Sequence, residues 1–172
     1  KILCTKFRTR SIKYSSYKGQ IGKVAPNIVK RNFKANRPNK LLLTDVTEFR
    51  IKGSEQRLYL SPNLDVYNSE IISYTLSHHP TIKLTNTMLE NAIHKSKNIK
   101  DLVIHSDQGF HYQHSSWSNK LKKLNIRQSM SRKGNCLDNS PMENFFGILK
   151  QEMYYGVEFK NYEQLRKEIE TY

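Results

Sequence analysis

Between residues 41 and 130 the apolar pattern of this chain changes period twice, and that alternation excludes most architectures. Three strand-like runs, at residues 41–49, 57–64 and 70–77, are separated only by the turn signals Gly53-Ser54 and Asn68-Ser69. Connections that short join antiparallel neighbours. The spacing then lengthens: Leu84, Met88, Leu89, Ala92 and Ile93 fall on one helical face. A fourth strand at 102–105 makes that helix a crossover, which favours a parallel pair. Trp117, Leu121 and Leu124 predict another helix, and residues 126–130 a short fifth strand. The expected fold class is α/β, a mixed five-stranded sheet with flanking helices. Residues 41–49 are nearly continuous in apolar character, as in a strand buried on both faces.

Two carboxylates interrupt this pattern. Asp45 lies inside Leu41-Leu42-Leu43-Thr44-Asp45-Val46, and Asp107 ends Leu102-Val103-Ile104-His105-Ser106-Asp107. A buried ion costs several kcal/mol unless a cation offsets it. Asp107, followed by Gln108-Gly109, also reads as a turn residue, whereas a turn at Asp45 would break a central strand. Residues 131–135 have the composition of a mobile loop. They lead into a predicted helix over about 138–155, with Met142, Phe145, Phe146, Leu149 and Met153 as its apolar stripe and Gly156 as its C-cap. A last helix is expected from Tyr162.

Glu143 opens the long helix. Ser140-Pro141-Met142-Glu143 reads as a capping box, which would explain the glutamate without chemistry. Lys150 alters that balance. Seven residues turn a helix through about 700°, so Glu143 and Lys150 project within roughly 20° of each other, about 10 Å apart along the axis. One side chain would reach a metal and the other a phosphate. Three converging carboxylates form an oxygen cradle suited to magnesium, which keeps several waters. Two ions about 3.5 to 4 Å apart can activate the attacking oxygen and stabilise the leaving one.

The net charge of +14 is unevenly placed. Residues 1–40 hold twelve Lys or Arg and no acid, so the arm carries +12 and the remainder +2. Such an arm attracts a polyanion through counterion release. Tyr14, Tyr17 and Phe33 interleave with its cations, where they could lie on sugars or bases. Pro26 and Asn36-Arg37-Pro38-Asn39 place a domain boundary near residue 39, giving a basic arm over 1–39 and a core over 40–172. No run reaches about 18 apolar residues and no secretory signal is evident, so a soluble, cytoplasmic protein without a membrane partner is expected. Cys4 and Cys136 lack zinc-site spacing and read as reduced thiols. His111 and His114 read as a surface or DNA-facing loop.

The blocks Thr44-Asp45-Val46-Thr47-Glu48-Phe49, His105-Ser106-Asp107-Gln108-Gly109, residues 131–139 (Ser-Arg-Lys-Gly-Asn-Cys-Leu-Asp-Asn) and Met142-Glu143-Asn144-Phe145-Phe146, in that order, resemble the OrfB-type transposases of the bacterial IS-three insertion-sequence group. These are retroviral-integrase-like DDE enzymes. The resemblance implies a ribonuclease-H-like sheet and a metal-binding, catalytic triad of Asp45, Asp107 and Glu143, holding two Mg2+ or Mn2+ ions. It also implies DNA contacts by Arg132, Lys133 and Lys150, and a homo-oligomer acting on insertion-sequence ends and target DNA at the bacterial nucleoid. The implied reaction is DNA cleavage and strand transfer. Relative to that family the chain reads as truncated at both ends, lacking the upstream helix-turn-helix region. The alternatives are an inactive remnant that binds DNA nonspecifically through its arm, and a ribonuclease-H-type nuclease.

Overall fold

A computed structural model describes residues 22–96 and 98–172. Its spine is β3 (Arg57–Asp65), with β4 (Glu70–Ser77) antiparallel along one side. The other side of β3 is shared by β2 (Thr47–Arg50) and β1 (Leu41–Thr44), both antiparallel to it. Then β5 (Val103–Ser106) adds parallel to β1, and β6 (Arg127–Met130) parallel to β5. The parallel pairing expected after the crossover helix α1 (Ile82–Lys95) is present, with β5 beside β1 and not beside β4.

Six strands stand where five were expected, because the first run is broken at Asp45-Val46. Pairing on β3 runs to Thr44↔Asn63 and resumes at Thr47↔Leu60. Continuing that register puts Pro62 opposite Asp45. Proline has no N–H to donate to the ladder, so a cross-strand bond is missing where the carboxylate emerges.

Alternation along β1 divides the core. Leu41 and Leu43 pack with Phe49, Leu58, Met142, Phe146 and Leu149 on one face, whereas Leu42 packs with Met88, Leu89, Ile104, Trp117 and Leu121 on the other. Both faces are covered, as the apolar run required. Each fully buried Leu contributes about 1.5–3 kcal/mol. The helices α2 (Phe110–Gln113) and α3 (Ser115–Lys123) lie with α1 on the second face, and α4 (Ser140–Leu149) and α5 (Tyr162–Thr171) on the first.

The helix expected over 138–155 has three parts: a 3₁₀ turn at Cys136–Asn139, α4, and a π turn at Lys150–Tyr154. The Tyr155 N–H closes the wide turn on the Lys150 carbonyl at 2.7 Å, and Gly156 ends the segment with φ 78° as predicted. In that turn Tyr154 reaches β2, where its hydroxyl accepts the Arg50 N–H at 3.0 Å. The capping box does not form. Asn139 holds the N-cap position without a side-chain cap bond, and Ser140 is already helical.

Residues 22–39, the described part of the basic segment, lie partly against β6. The Ile28 N–H bonds Ser129 Oγ at 2.9 Å, the Met130 N–H bonds the Pro26 carbonyl at 3.4 Å, and Val29 joins the core. The boundary expected near residue 39 thus follows chain already packed on the sheet. Phe33 packs partly buried against the core. Tyr14, Tyr17 and Cys4 lie outside the described residues. Among those described, no helix is long and apolar enough to cross a membrane.

Candidate active site

Asp45 and Asp107 each stand one residue beyond the end of adjacent parallel strands. The pairing Leu43↔His105, carried two residues on, sets them side by side, with backbones about 5 Å apart. By parity with Leu41 and Leu43 they belong to the face that α4 covers. Each carboxylate spends one oxygen locally: Asp45 Oδ1 accepts the Val46 N–H at 2.7 Å, and Asp107 Oδ1 accepts the Gly109 N–H at 2.8 Å. The turn reading of Asp107 is therefore correct for one oxygen only. No hydrogen bond to either Oδ2 is found among the described residues.

Electrostatics mark the pair as strained. Burial holds the Asp45 carboxyl well above the usual range; the Asp107 charge raises it further, and Glu143 adds to this, against the Val46 N–H and Lys150. Burial also raises Asp107, opposed by the Gly109 N–H. Behind them Tyr112 is buried, its hydroxyl 3.2 Å from Thr44 Oγ1. Because Thr44 Oγ1 donates to the Pro62 carbonyl at 2.9 Å, the tyrosine is the donor in that contact.

Glu143 lies on the exposed side of the first turn of α4, which Met142, Phe146 and Leu149 fix to the sheet. Partial burial raises its carboxyl. Its charge acts on Asp45 less strongly than that of Asp107. Lys150 is half-buried, with Nζ 5.1 Å from the centre of the Phe49 ring. Burial lowers its pKa, while the charges of Glu48 and Asp45 work the other way.

Among the described residues no three His, Cys, Asp or Glu side chains are gathered closely enough to hold a metal ion as they stand. The donor set nevertheless suits a hard cation. Its donors are all oxygen, two of the carboxylates are pressed together against burial and mutual repulsion, and a divalent ion would relieve both.

The remaining predicted contacts separate. Lys133 is exposed beside Gly134, which turns with φ 70°. Arg132 is committed to Asp138, its Nε on Oδ2 at 2.8 Å and Nη2 on Oδ1 at 2.9 Å. Asp138 was not singled out in the sequence, although an acid within a basic loop was a visible signal. Its buried carboxylate also receives Arg31 Nε at 2.8 Å and Asn27 Nδ2 at 3.0 Å, and the two arginines, Arg132 first, drive its pKa far below the usual range. The surface-loop reading holds for His114, which is exposed between α2 and α3, and fails for His111. His111 is buried with Nε2 on the Pro80 carbonyl at 2.8 Å, and His114 caps α3 by accepting the Ser116 N–H.

Comparison with known proteins agrees with this arrangement. The integrase core domain family matches residues 35–136, and a second integrase core domain model matches residues 143–172. The InsK protein of insertion sequence element IS150 from Escherichia coli K12 is 48% identical over 160 residues, covering 93% of this chain and 56% of that protein. A transposase-like protein of Haemophilus influenzae is 46% identical over 167 residues, 97% of this chain and 76% of the relative. The chain thus spans between about half and three quarters of the length of these two relatives. The HTLV-2 integrase catalytic core domain in complex with magnesium superposes with a TM-score of 0.58 at 18% identity, covering 80% of this chain and 84% of that one, a likeness of fold. The chain belongs to the integrase core family, within the transposases of the bacterial IS-three insertion-sequence group, and carries their ribonuclease-H-like catalytic domain.

Proposed function

We propose that this domain cuts and joins DNA strands with divalent metal, Mg2+ or Mn2+, two ions per site, held by Asp45, Asp107 and Glu143. The matched positions of Asp45 and Asp107 carry this reading, because two adjacent carboxylates both raised by burial, Asp45 also by the Asp107 charge, are favoured as ions by added positive charge. When bound, the metal would polarise the phosphodiester and lower the pKa of the attacking hydroxyl or water.

The chain's own residues do the rest. Asp45 and Asp107, each pinned through Oδ1, would hold the ions together with Glu143. Lys150, tethered over Phe49, offers its ammonium to a phosphate oxygen, and Lys133 and the basic segment contact the DNA backbone. Arg132 would contribute only donors that Asp138 leaves free. Hydrolysis at the element end breaks a P–O3′ bond and frees a 3′-hydroxyl. That oxygen then attacks a second phosphorus in line, and the displaced 3′-oxygen leaves and takes a proton. The domain would work as a homo-oligomer on DNA at the bacterial nucleoid.

The test is nicking and strand transfer on a duplex bearing the inverted repeat that flanks the coding region. Metal-dependent products are expected from the native sequence and none from Asp107→Asn. Undiminished products from that variant would reject the triad.

A further inference from the structure

A polar hub behind the carboxylates joins four segments distant in sequence. The 3₁₀ turn Cys136–Asn139, which leads directly into the Glu143 helix, touches both aspartate-bearing strands. The Asp138 carbonyl accepts from His105 Nε2 at 2.7 Å, two residues before Asp107, and Asn139 Nδ2 donates to the Thr44 carbonyl at 3.4 Å, one residue before Asp45. A carbonyl can only accept, so Nε2 of His105 carries the proton. Nδ1 then accepts from Ser129 Oγ at 2.8 Å, and that oxygen in turn accepts the Ile28 N–H.

The Asp138 side chain closes the hub from the other side. It binds Arg132 of its own loop and Asn27 and Arg31 of the N-terminal segment. The chain there is bent to suit. Lys30 and Arg31 both take left-handed backbone, φ 49° and 65°, which non-glycine residues adopt in succession only where their surroundings enforce it. Asn27 Oδ1 holds that bend through the Lys30 N–H at 2.8 Å, while Arg31 Nη2 also grips Asn135 Oδ1 at 2.9 Å. The turn before Glu143 is thus clamped between the two strands and the basic segment.

The geometry points to Asp138 as a positioning residue, and to Arg31 as the latch by which the seated N-terminal segment fixes Glu143 against Asp45 and Asp107. This rests on the proposed roles of those three carboxylates. Seating the segment and aligning the third carboxylate are one event, so the working catalytic unit begins before residue 27 and not at 40. Partners of metal-binding residues commonly change metal affinity or turnover by about 10–100-fold when removed.

The test compares the native chain with Arg31→Ala, Arg31→Lys and Asp138→Asn. Hydrogen exchange of residues 136–143 and Mn2+ binding followed by electron paramagnetic resonance are read beside strand transfer. Arg31 is a surface side chain, so Arg31→Ala retains the fold. It is expected to speed exchange in 136–143 selectively and weaken Mn2+ binding about tenfold. Turnover should fall with little change in KM for DNA, and Arg31→Lys should recover part of each loss. If Arg31→Ala leaves exchange and Mn2+ binding at native values, the latch is refuted, whatever Asp138→Asn does. If the native chain binds Mn2+ as tightly as Asp45→Asn, the carboxylate reading itself fails, and the exchange data still decide whether the clamp exists.

Discussion

Two groups of acid lie beside the same pair of strands, β1 and β5, and are treated in opposite ways. At the strand ends, Asp45 and Asp107 are forced together, with burial raising both carboxyls, the Asp107 charge raising Asp45 further, and Lys150 easing Asp45. Behind them, Asp138 is buried against Arg132 and Arg31, and its carboxyl is driven far down. An acid matched by cations contributes to stability and has no capacity left for a ligand. An acid left unmatched costs stability in the free protein, and a metal recovers that cost on binding. Position along the chain does not separate the two kinds; their neighbours do.

The contrast breaks most visibly in catalysis. Asp45→Asn or Asp107→Asn should reduce strand transfer by about 10³-fold or more, since groups acting as one unit fail together. A loss below tenfold would place the chemistry elsewhere. Next in size is Gly109→Ala. A Cβ there would meet Asp107 Oδ1 at 2.9 Å, so the carboxylate must move although the backbone tolerates alanine. Activity should fall about tenfold while stability to urea stays within about 0.5 kcal/mol. An unchanged rate would show that the position of Asp107 is not critical.

Much of this was legible in the sequence, and the failures have physical causes. The alternation of strands and helices followed from the change of period, and the aspartates from their intrusion into apolar runs. The break at Asp45 was missed because it depends on Pro62, which lies in another strand and acts only through register. Ser140-Pro141-Met142-Glu143 fits a capping box by residue type, but the preceding 3₁₀ turn shifts the N-cap to Asn139 and frees Glu143. Arg132 looked like a phosphate contact because its partner Asp138 is only six residues away and carries no hydrophobic signature. Local pattern reported burial well; it could not report which charges pair in space.

The same contrast predicts opposite signs of stability. In the metal-free protein at pH 7, Asp45→Asn should raise stability by about 1 kcal/mol, because it removes a repelled, buried charge. Asp138→Asn should lower it. For Asp45 the folded carboxyl binds its proton more tightly than the unfolded one, so its contribution is greatest at acid pH and is lost as pH rises through the raised value. For Asp138 the folded value is depressed, so its contribution is present above the ordinary aspartate range and fades as pH falls below it. Thermal melting across pH 3–8 checks both, and the same sign for both variants at pH 7 would erase the distinction.

The smallest effect concerns Lys150, whose charge opposes the elevation of Asp45. Lys150→Met retains the bulk over Phe49 and removes the cation, so Asp45 should hold its proton to higher pH. At subsaturating metal, where protons and metal compete for the carboxylates, the acid limb of the pH–rate profile should move upward by less than about one unit. Saturating metal should remove most of that shift, because the ions then supply the positive charge. A limb that stays in place at both metal concentrations would confine Lys150 to phosphate binding, and the easing of the forward carboxylates would then fall to the metal alone.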